Sequence, residues 1–464
     1  MANGPQRLIV VSNRGPLRSA TSGGRRRWVR SAGGLVAALD PVLRGRGGVW
    51  VSAKEAEDFP TQGVQSPDLG YETAAVRLTR TVRNRFYGGF SNALLWPLLH
   101  SFPPTIRVGE APWNEYVLAN RAFADRVLDV STGDDAVWIQ DYHLMLVPGN
   151  VRAARPNVRL GWFCHVPWPN SDLFRVLPWR QEILEGLLGA DILAFHTDTY
   201  VHNFLRCCER LTGHPVDHEK RTVSFQGRQV QVFAAPIGSP VAELRELAGD
   251  PAIADAAQDI RDSVRNRRII LGVDRLDYTK GIPERLLGYE RFLRRDPGAT
   301  SRVVFVQVMV PSRTDVEAYA SLKSEIDRLV GSINGRFGRA GRTPVHYIYR
   351  NLDQRTLFAH YRAADVALIT PLRDGMNLVA HEFVVSRVEH TGALILSEFA
   401  GAAEYLKDAI QVNPYDIASI SDALSLSFSL RPEERTRMMQ ALQTQAEALD
   451  VHRWADGFLE RLVG

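Results

Sequence analysis

Apolar and β-branched residues fall in short runs along this chain, separated by longer stretches of helical period. That is the pattern of buried parallel strands joined by crossover helices. In the first half the runs predict strands over 8–12, 49–52, 137–139, 160–164 and 192–196, with helices over 34–43 and 171–188 among the connections. A hairpin-like passage over 222–234 turns at Gly227 and leads into Ala235-Pro236-Ile237-Gly238-Ser239-Pro240, whose prolines and glycine mark a domain boundary. A second series follows, with strands over 269–273, 303–310, 346–349, 366–370 and 394–397. The expected class is α/β, with two Rossmann-like doubly wound domains facing across a cleft. Open sheets of this kind place ligands at the carboxyl ends of their strands. Asn13, Arg14, Asp141, His165, Arg275 and Asp374 each follow a predicted strand.

Length supports two domains, because 464 residues exceed what one hydrophobic core comfortably serves. The apolar fraction of 45% and charged fraction of 23% are those of a folded globular protein. A net charge of +4 suits small phosphorylated ligands and gives no support to nucleic acid as a partner. Only Cys164, Cys207 and Cys208 are present, two of them adjacent, so a disulfide framework is not expected and a reducing compartment fits. The polar start of the chain carries no signal-like or membrane-spanning apolar segment, which points to a cytoplasmic protein without a membrane partner.

Four strings carry candidate chemistry. Arg275-Leu276-Asp277-Tyr278-Thr279-Lys280-Gly281 places two cations across a strand-to-helix turn, able to meet one diphosphate as its leaving charge grows. Alone, the string reads more readily as a solvated charged turn. Pro371-Leu372-Arg373-Asp374-Gly375-Met376-Asn377-Leu378-Val379 puts Asp-Gly at the mouth of a helix, whose amides can bind hydroxyls or phosphate, and Glu382 further along could hold a ribose diol. An ordinary capped helix with Glu382 on its solvent face fits the spacing more simply. Gly33-Gly34 opens a helix and permits close approach to a diphosphate, though a plain tight turn is the stronger reading and the G-x-G-x-x-G spacing of dinucleotide binders is missing. Around Asp141-Tyr142-His143 and His165-Val166-Pro167, strand-end Asp and His residues suit sugar hydroxyls, and aromatic faces such as Trp96 suit pyranose rings. His143 reads as a core histidine, while His165 stands open between core and ligand roles. Arg14, Tyr87 and Arg313 would suit a terminal phosphate, but singly each fits a surface or ion-pair role. The basic run Arg25-Arg26-Arg27 with Arg30 reads as an exposed hairpin.

Together these strings closely resemble the trehalose-6-phosphate synthases, a family of retaining glycosyltransferases with two Rossmann-like domains. The likeness rests on Val11-Ser12-Asn13-Arg14, Ser31-Ala32-Gly33-Gly34-Leu35, Gly89-Phe90-Ser91-Asn92-Ala93-Leu94-Leu95-Trp96-Pro97, Asp141-Tyr142-His143-Leu144, His165-Val166-Pro167, Asp274 through Gly281, Leu372 through Ala380 and Ser397-Glu398-Phe399-Ala400-Gly401. The resemblance implies a GT-B type fold, with an acceptor-binding domain over 1–238, a nucleotide-sugar domain over 239–449 and a helix over 450–464 returning to the first domain. It implies that Arg14, Tyr87, Trp96, Asp141 and Arg313 hold glucose 6-phosphate. Gly33, Gly34, Arg275 and Lys280 would hold the donor diphosphate, with Leu352 near the base. His165 and Asp374, with the amides of Gly375, Met376, Asn377, Leu378 and Val379, would grip the transferred glucose, and Glu382 the ribose.

The implied reaction is front-face substitution with retention, in which the leaving phosphate helps deprotonate the acceptor. Asp141 and Asp374 are therefore read as hydroxyl binders rather than a glycosidase pair. Arg275, Lys280, His165 and Asp374 are the residues closest to the chemistry. Domain closure would exclude water. No metal and no cofactor are expected, since the nucleotide-diphosphate glucose is a substrate, and a homo-oligomer stays open.

Three departures stand out. His381 occupies a place where the family often has lysine, Leu352 a place where some relatives carry an aromatic, and Val51-Ser52-Ala53-Lys54 lacks a second tryptophan. UDP-glucose and GDP-glucose both remain open as donors. The rival readings are another phosphorylated acceptor, such as glycerol 3-phosphate or a cyclitol phosphate, a non-catalytic sugar-phosphate sensor and, weakest, a dehydrogenase. A fused phosphatase is not expected, because the chain has no Asp-x-Asp motif.

Overall fold

A computed structural model describes residues 7–22, 25–31, 34–55, 69–102, 109–312 and 317–464. Two compact units emerge, one comprising Met1–Pro236 with His452–Gly464 and the other Ile237–Val451. Each is α/β and built on its own sheet, of nine strands in the first unit and six in the second.

In the first unit the strands lie in the order Glu72–Leu78, Val49–Glu55, Leu8–Ser12, Ala136–Gln140, Arg159–Phe163, Ile192–Phe195, Arg228–Ala234, Thr222–Phe225 and Val216–Asp217. All run parallel as far as Arg228–Ala234, and the last two join antiparallel. Leu8–Ser12, Ala136–Gln140 and Ile192–Phe195 are buried at every position, as expected for strands covered on both faces. Their sequences are continuous apolar runs for that reason. The predicted hairpin is present, Thr222 pairing with Gln231 and Phe225 with Arg228 around Gly227, whose φ is 74°. A separate hairpin, Leu17–Ser22 with Arg25–Arg30, carries the basic run.

The second sheet is wholly parallel, in the order Val345–Tyr349, Val303–Val310, Arg268–Arg275, Val366–Ile369, Ala393–Ser397 and Ile410–Val412. Beneath it Arg285 is completely buried, ion-paired with Asp274 and hydrogen-bonded to Thr370 at 3.1 Å and Gln307 at 3.2 Å. Such a pair has little net worth against an apolar substitute, but removing one partner would strand a buried charge. It locks the central strands beside the Arg275 turn.

Among the parallel strands, chain order reverses once in each sheet. Leu8–Ser12 lies between Val49–Glu55 and Ala136–Gln140, and Arg268–Arg275 between Val303–Val310 and Val366–Ile369. The loops leaving such central strands diverge to opposite faces and open a crevice at their carboxyl ends.

The helix Val451–Val463 closes the chain, and His452–Gly464 clusters with the first unit. Trp454 and Phe458 lie 4.9 Å and 4.4 Å from the Trp138 ring, and Trp454 lies 5.0 Å from Phe163. Gly161 makes this possible, because a Cβ there would come within 2.7 Å of the Phe458 ring.

Some expected elements differ. The helix expected over 171–188 is two, Ser171–Phe174 and Arg180–Leu187, because Pro178 lacks an amide donor and disfavours the helical conformation in Leu177. Strands Glu72–Leu78 and Ile410–Val412 were not foreseen. Both lie at sheet edges, where the first alternates between exposed and buried residues and the second is short. Asn84–Leu95 is a wide π-type helix, a form that is rare and concentrated at functional sites. Among the described residues no helix is long and apolar enough to cross a membrane, and all three cysteines are free and buried.

Candidate active site

Polar side chains gather at both reversal points. In the first unit Arg14 leaves the central strand and donates from Nη2 to the Tyr87 hydroxyl at 2.7 Å, its guanidinium carbon 5.7 Å from that ring's centre. Tyr87, on the wide helix, stacks on His143 at 5.5 Å, and His143 Nδ1 lies 3.7 Å from Asp141 Oδ2. Asn92 joins the same helix to the strand end by donating to the Tyr87 carbonyl at 2.8 Å and accepting from the Tyr142 hydroxyl at 3.0 Å. Trp96 is buried, its ring 5.9 Å from Tyr142.

Asp141 follows the strand adjoining the reversal point and holds φ 73° and ψ 168°, a conformation that side chains other than glycine avoid. Its surroundings over-determine it. The amide donates to Phe163 O at 2.7 Å, the carbonyl accepts from Trp162 Nε1 at 3.2 Å, and Oδ1 accepts from the His165 amide at 3.2 Å. Burial pushes the carboxyl up to about 7, against the pull of the hydrogen bonds from the Tyr142 and His165 amides. His165 is held well below the usual imidazole range by burial and by His196, 5.7 Å away ring to ring. Its Nε2 lies 2.8 Å from Gln140 Oε1.

In the second unit Arg275 ends the central strand and is exposed, while Lys280 ends the short turn Tyr278–Lys280. Asp277 shapes that turn by accepting from the Thr279 amide at 3.1 Å and the Tyr319 hydroxyl at 3.2 Å. Gly281 follows with φ 61°, where a Cβ would meet the Thr370 carbonyl at 2.2 Å. Across the reversal point, Lys280 Nζ donates to Asp374 Oδ2 at 2.6 Å, and Asn377 Nδ2 reaches the same oxygen at 2.9 Å. Asn377 also caps the helix Leu378–Ser386 by accepting from the Ala380 amide at 3.1 Å. The amides of Leu378 and Val379 remain as first-turn donors with no acceptor within the helix. Cation, carboxylate and helix mouth thus form one polar set able to bind an anion beside hydroxyl groups.

Glu382 does not lie on a solvent face. It accepts from the Tyr361 hydroxyl at 2.8 Å, and burial raises it to about 7. The neighbouring His381 is fully buried, neither ring nitrogen has a hydrogen-bond partner among the described residues, and burial lowers it to about 4. It brings no positive charge to the place where the resemblance leads to an expectation of lysine. Gly375 and Met376 are buried in the turn before the cap, where the Met376 carbonyl accepts from Ala402 at 2.8 Å. Leu352 stands in the loop between the edge strand Val345–Tyr349 and the helix Gln354–Ala363, which Asp353 caps. Gly34 begins the helix Gly34–Arg46, while Gly33 and Arg313 lie outside the described residues.

The sequence reading missed Gln140, His196, Asn92 and Tyr361 and assigned His143 to the core. Gln140 and His196 were signalled only by lying at strand ends and Asn92 by the glycine pair 88–89, while Tyr361 lies inside the helix Gln354–Ala363 with no such signal; the contacts themselves cross the fold.

The pattern of glycosyltransferase family 20 matches residues 6–463. The chain belongs to that family. Within it, the trehalose-6-phosphate synthase of Mycolicibacterium smegmatis is 42% identical over 471 residues, covering 99% of this chain and 93% of that protein. The α,α-trehalose-phosphate synthase [UDP-forming] A of Dictyostelium discoideum is 39% identical over 98% of this chain, which spans 62% of that longer protein. A solved α,α-trehalose-phosphate synthase (UDP-forming) from Burkholderia xenovorans, in complex with glucose-6-phosphate, superposes with a TM-score of 0.90 at 32% identity, covering 99% of this chain and 100% of that one. The fold is thus the GT-B type of the solved family members, and the chain is a glycosyltransferase of the α,α-trehalose-phosphate synthase class.

Proposed function

We propose that this glycosyltransferase moves glucose, with retention, from a nucleoside-diphosphate glucose onto glucose 6-phosphate and so forms trehalose 6-phosphate. UDP-glucose is the donor favoured by the names of the Dictyostelium and Burkholderia relatives, and GDP-glucose is the alternative that a donor comparison separates. The observation carrying the reading is the Lys280–Asp374 contact at 2.6 Å, which joins a diphosphate-type cation to a hydroxyl-type acceptor at the mouth of the helix Leu378–Ser386.

In this reading Arg275 and Lys280 neutralise the leaving diphosphate, and Gly33 and Gly34 let backbone approach it. Leaving charge grows as the glycosidic bond breaks, so fixed cations stabilise the transition state more than the ground state. Asp374, His165 and the amides from Gly375 to Val379 hold the transferred glucose, Glu382 the ribose, and the loop at Leu352 flanks the base. Arg14, Tyr87 and Arg313 take the acceptor phosphate, with Asp141 and Trp96 on its sugar. The Burkholderia complex with glucose-6-phosphate supports that acceptor. A leaving-phosphate oxygen takes the acceptor proton, so neither aspartate acts as nucleophile.

Steady-state kinetics test these assignments. Arg275→Ala is expected to lower kcat about a hundredfold or more, as loss of one preorganised contact to developing charge does. Arg14→Ala is expected to raise the KM for glucose 6-phosphate while leaving the KM for the donor nearly unchanged. Unchanged kcat/KM in both variants would refute the assignments.

A further inference from the structure

Gln140 is the last residue of the strand Ala136–Gln140 and is completely buried. Its Oε1 lies 2.8 Å from His165 Nε2, and its own Nε2 has no hydrogen-bond partner among the described residues. The imidazole is fixed from several sides: Phe163 at 4.7 Å, His196 at 5.7 Å and Trp454, from the last helix, at 6.1 Å between ring centres. The main-chain amide of His165 is engaged by Asp141 Oδ1. Among the described residues no group hydrogen-bonds the ring's Nδ1.

We propose that Gln140 is a positioning residue that holds the His165 proton on Nε2, so that Nδ1 presents a lone pair to a hydroxyl of the transferred sugar. The inference rests on the reading that His165 grips that sugar. A neutral imidazole carries one N–H, and a carbonyl oxygen beside Nε2 selects the tautomer that can donate to it. His165 then acts as an acceptor toward the substrate. Burial and the neighbouring His196 keep the ring neutral, as this role requires. The same strand end therefore does two jobs: Asp141 fixes the His165 main chain, and Gln140 fixes its side chain.

Methionine is close to glutamine in length and brings no polar group of its own, so the one group left without its partner is His165 Nε2, whose tautomer is the readout. Because one amide nitrogen of Gln140 is already unpartnered, Gln140→Met removes the contact with little risk to folding. Nitrogen NMR of protein labelled with ¹⁵N-histidine reads the tautomer directly, with His165 identified by the signal missing in His165→Asn. The wild-type ring is expected in the Nε2–H form, and in Gln140→Met this preference is lost. Donor kcat/KM is expected to fall about tenfold, as for one lost neutral hydrogen bond, with the KM for glucose 6-phosphate unchanged. An Nδ1–H ring in the wild type, or ring signals unchanged by Gln140→Met, overturns the proposal. The tautomer measurement needs no turnover, so it stands apart from failure of the sugar assignment. That failure would appear as a changed tautomer with unchanged donor kinetics.

Discussion

Three ionisable groups beside the candidate site are pushed toward their neutral forms by burial, and they act on stability in opposite directions. Asp141 and Glu382 both rise to about 7, so the folded protein keeps protons that the unfolded chain has released. Their stabilising contribution is present below the ordinary carboxyl range and is lost as pH climbs through about 7. His381 falls from 6.5 to about 4, so between those values the unfolded chain takes up a proton that the folded protein refuses, and stability drops as pH falls. His381→Leu removes this second effect and the desolvation of two unpartnered nitrogens. Relative to wild type, the variant should gain about 2 kcal/mol on going from about pH 7 to about pH 5. Urea unfolding at both pH values checks this, and identical pH dependence in the two proteins would contradict it. At this scale the sequence disclosed residue types at strand ends, Asp141, His165 and Arg275 among them. It could not disclose the isolation of His381 or the Gln140 contact, because both depend on which distant side chains close around them.

Elements decide where those residues point. The strand ends were legible because continuous apolar runs such as Leu8–Ser12 and Val303–Val310 announce buried parallel strands. The wide helix Asn84–Leu95 was not, although it carries Tyr87 and Asn92, because its extra residue per turn is set by packing rather than by periodicity. Two glycines expose how tightly the elements are fitted. At Gly281 the left-handed backbone and the Thr370 carbonyl 2.2 Å from a would-be Cβ leave alanine no place. Gly281→Ala should displace the Lys280 turn, losing most turnover and lowering the melting temperature; wild-type values for both would count against the role given to that turn. Gly161→Ala should push the Phe458 ring off its sheet and cost about 1–3 kcal/mol of stability, as overpacking does. In a Phe458→Ala background the same substitution should cost far less, since the ring it strikes is gone. Chemical denaturation of the single and double variants decides between clash and some remote effect.

Over the whole molecule, the two units repeat one solution. Among its parallel strands each sheet reverses chain order once, and each sets polar residues at the carboxyl ends of the strands at that point, Arg14 with Asp141 in one and Arg275 with Asp374 in the other. The first cluster, with an arginine, a tyrosine hydroxyl and a half-buried carboxyl, has the composition for a sugar phosphate. The second joins Lys280, a carboxylate and a helix mouth, with Arg275 exposed at the end of the central strand, a composition suited to a sugar diphosphate. In the proposed reaction the first set serves the acceptor and the second the donor. The most direct measurement is proton and phosphorus NMR of the purified protein incubated with glucose 6-phosphate and, separately, UDP-glucose or GDP-glucose. At least one donor is expected to release its nucleoside diphosphate and yield a phosphorylated disaccharide whose two anomeric protons are both α. No turnover with any nucleotide glucose, or a product with a β anomeric centre, would contradict it.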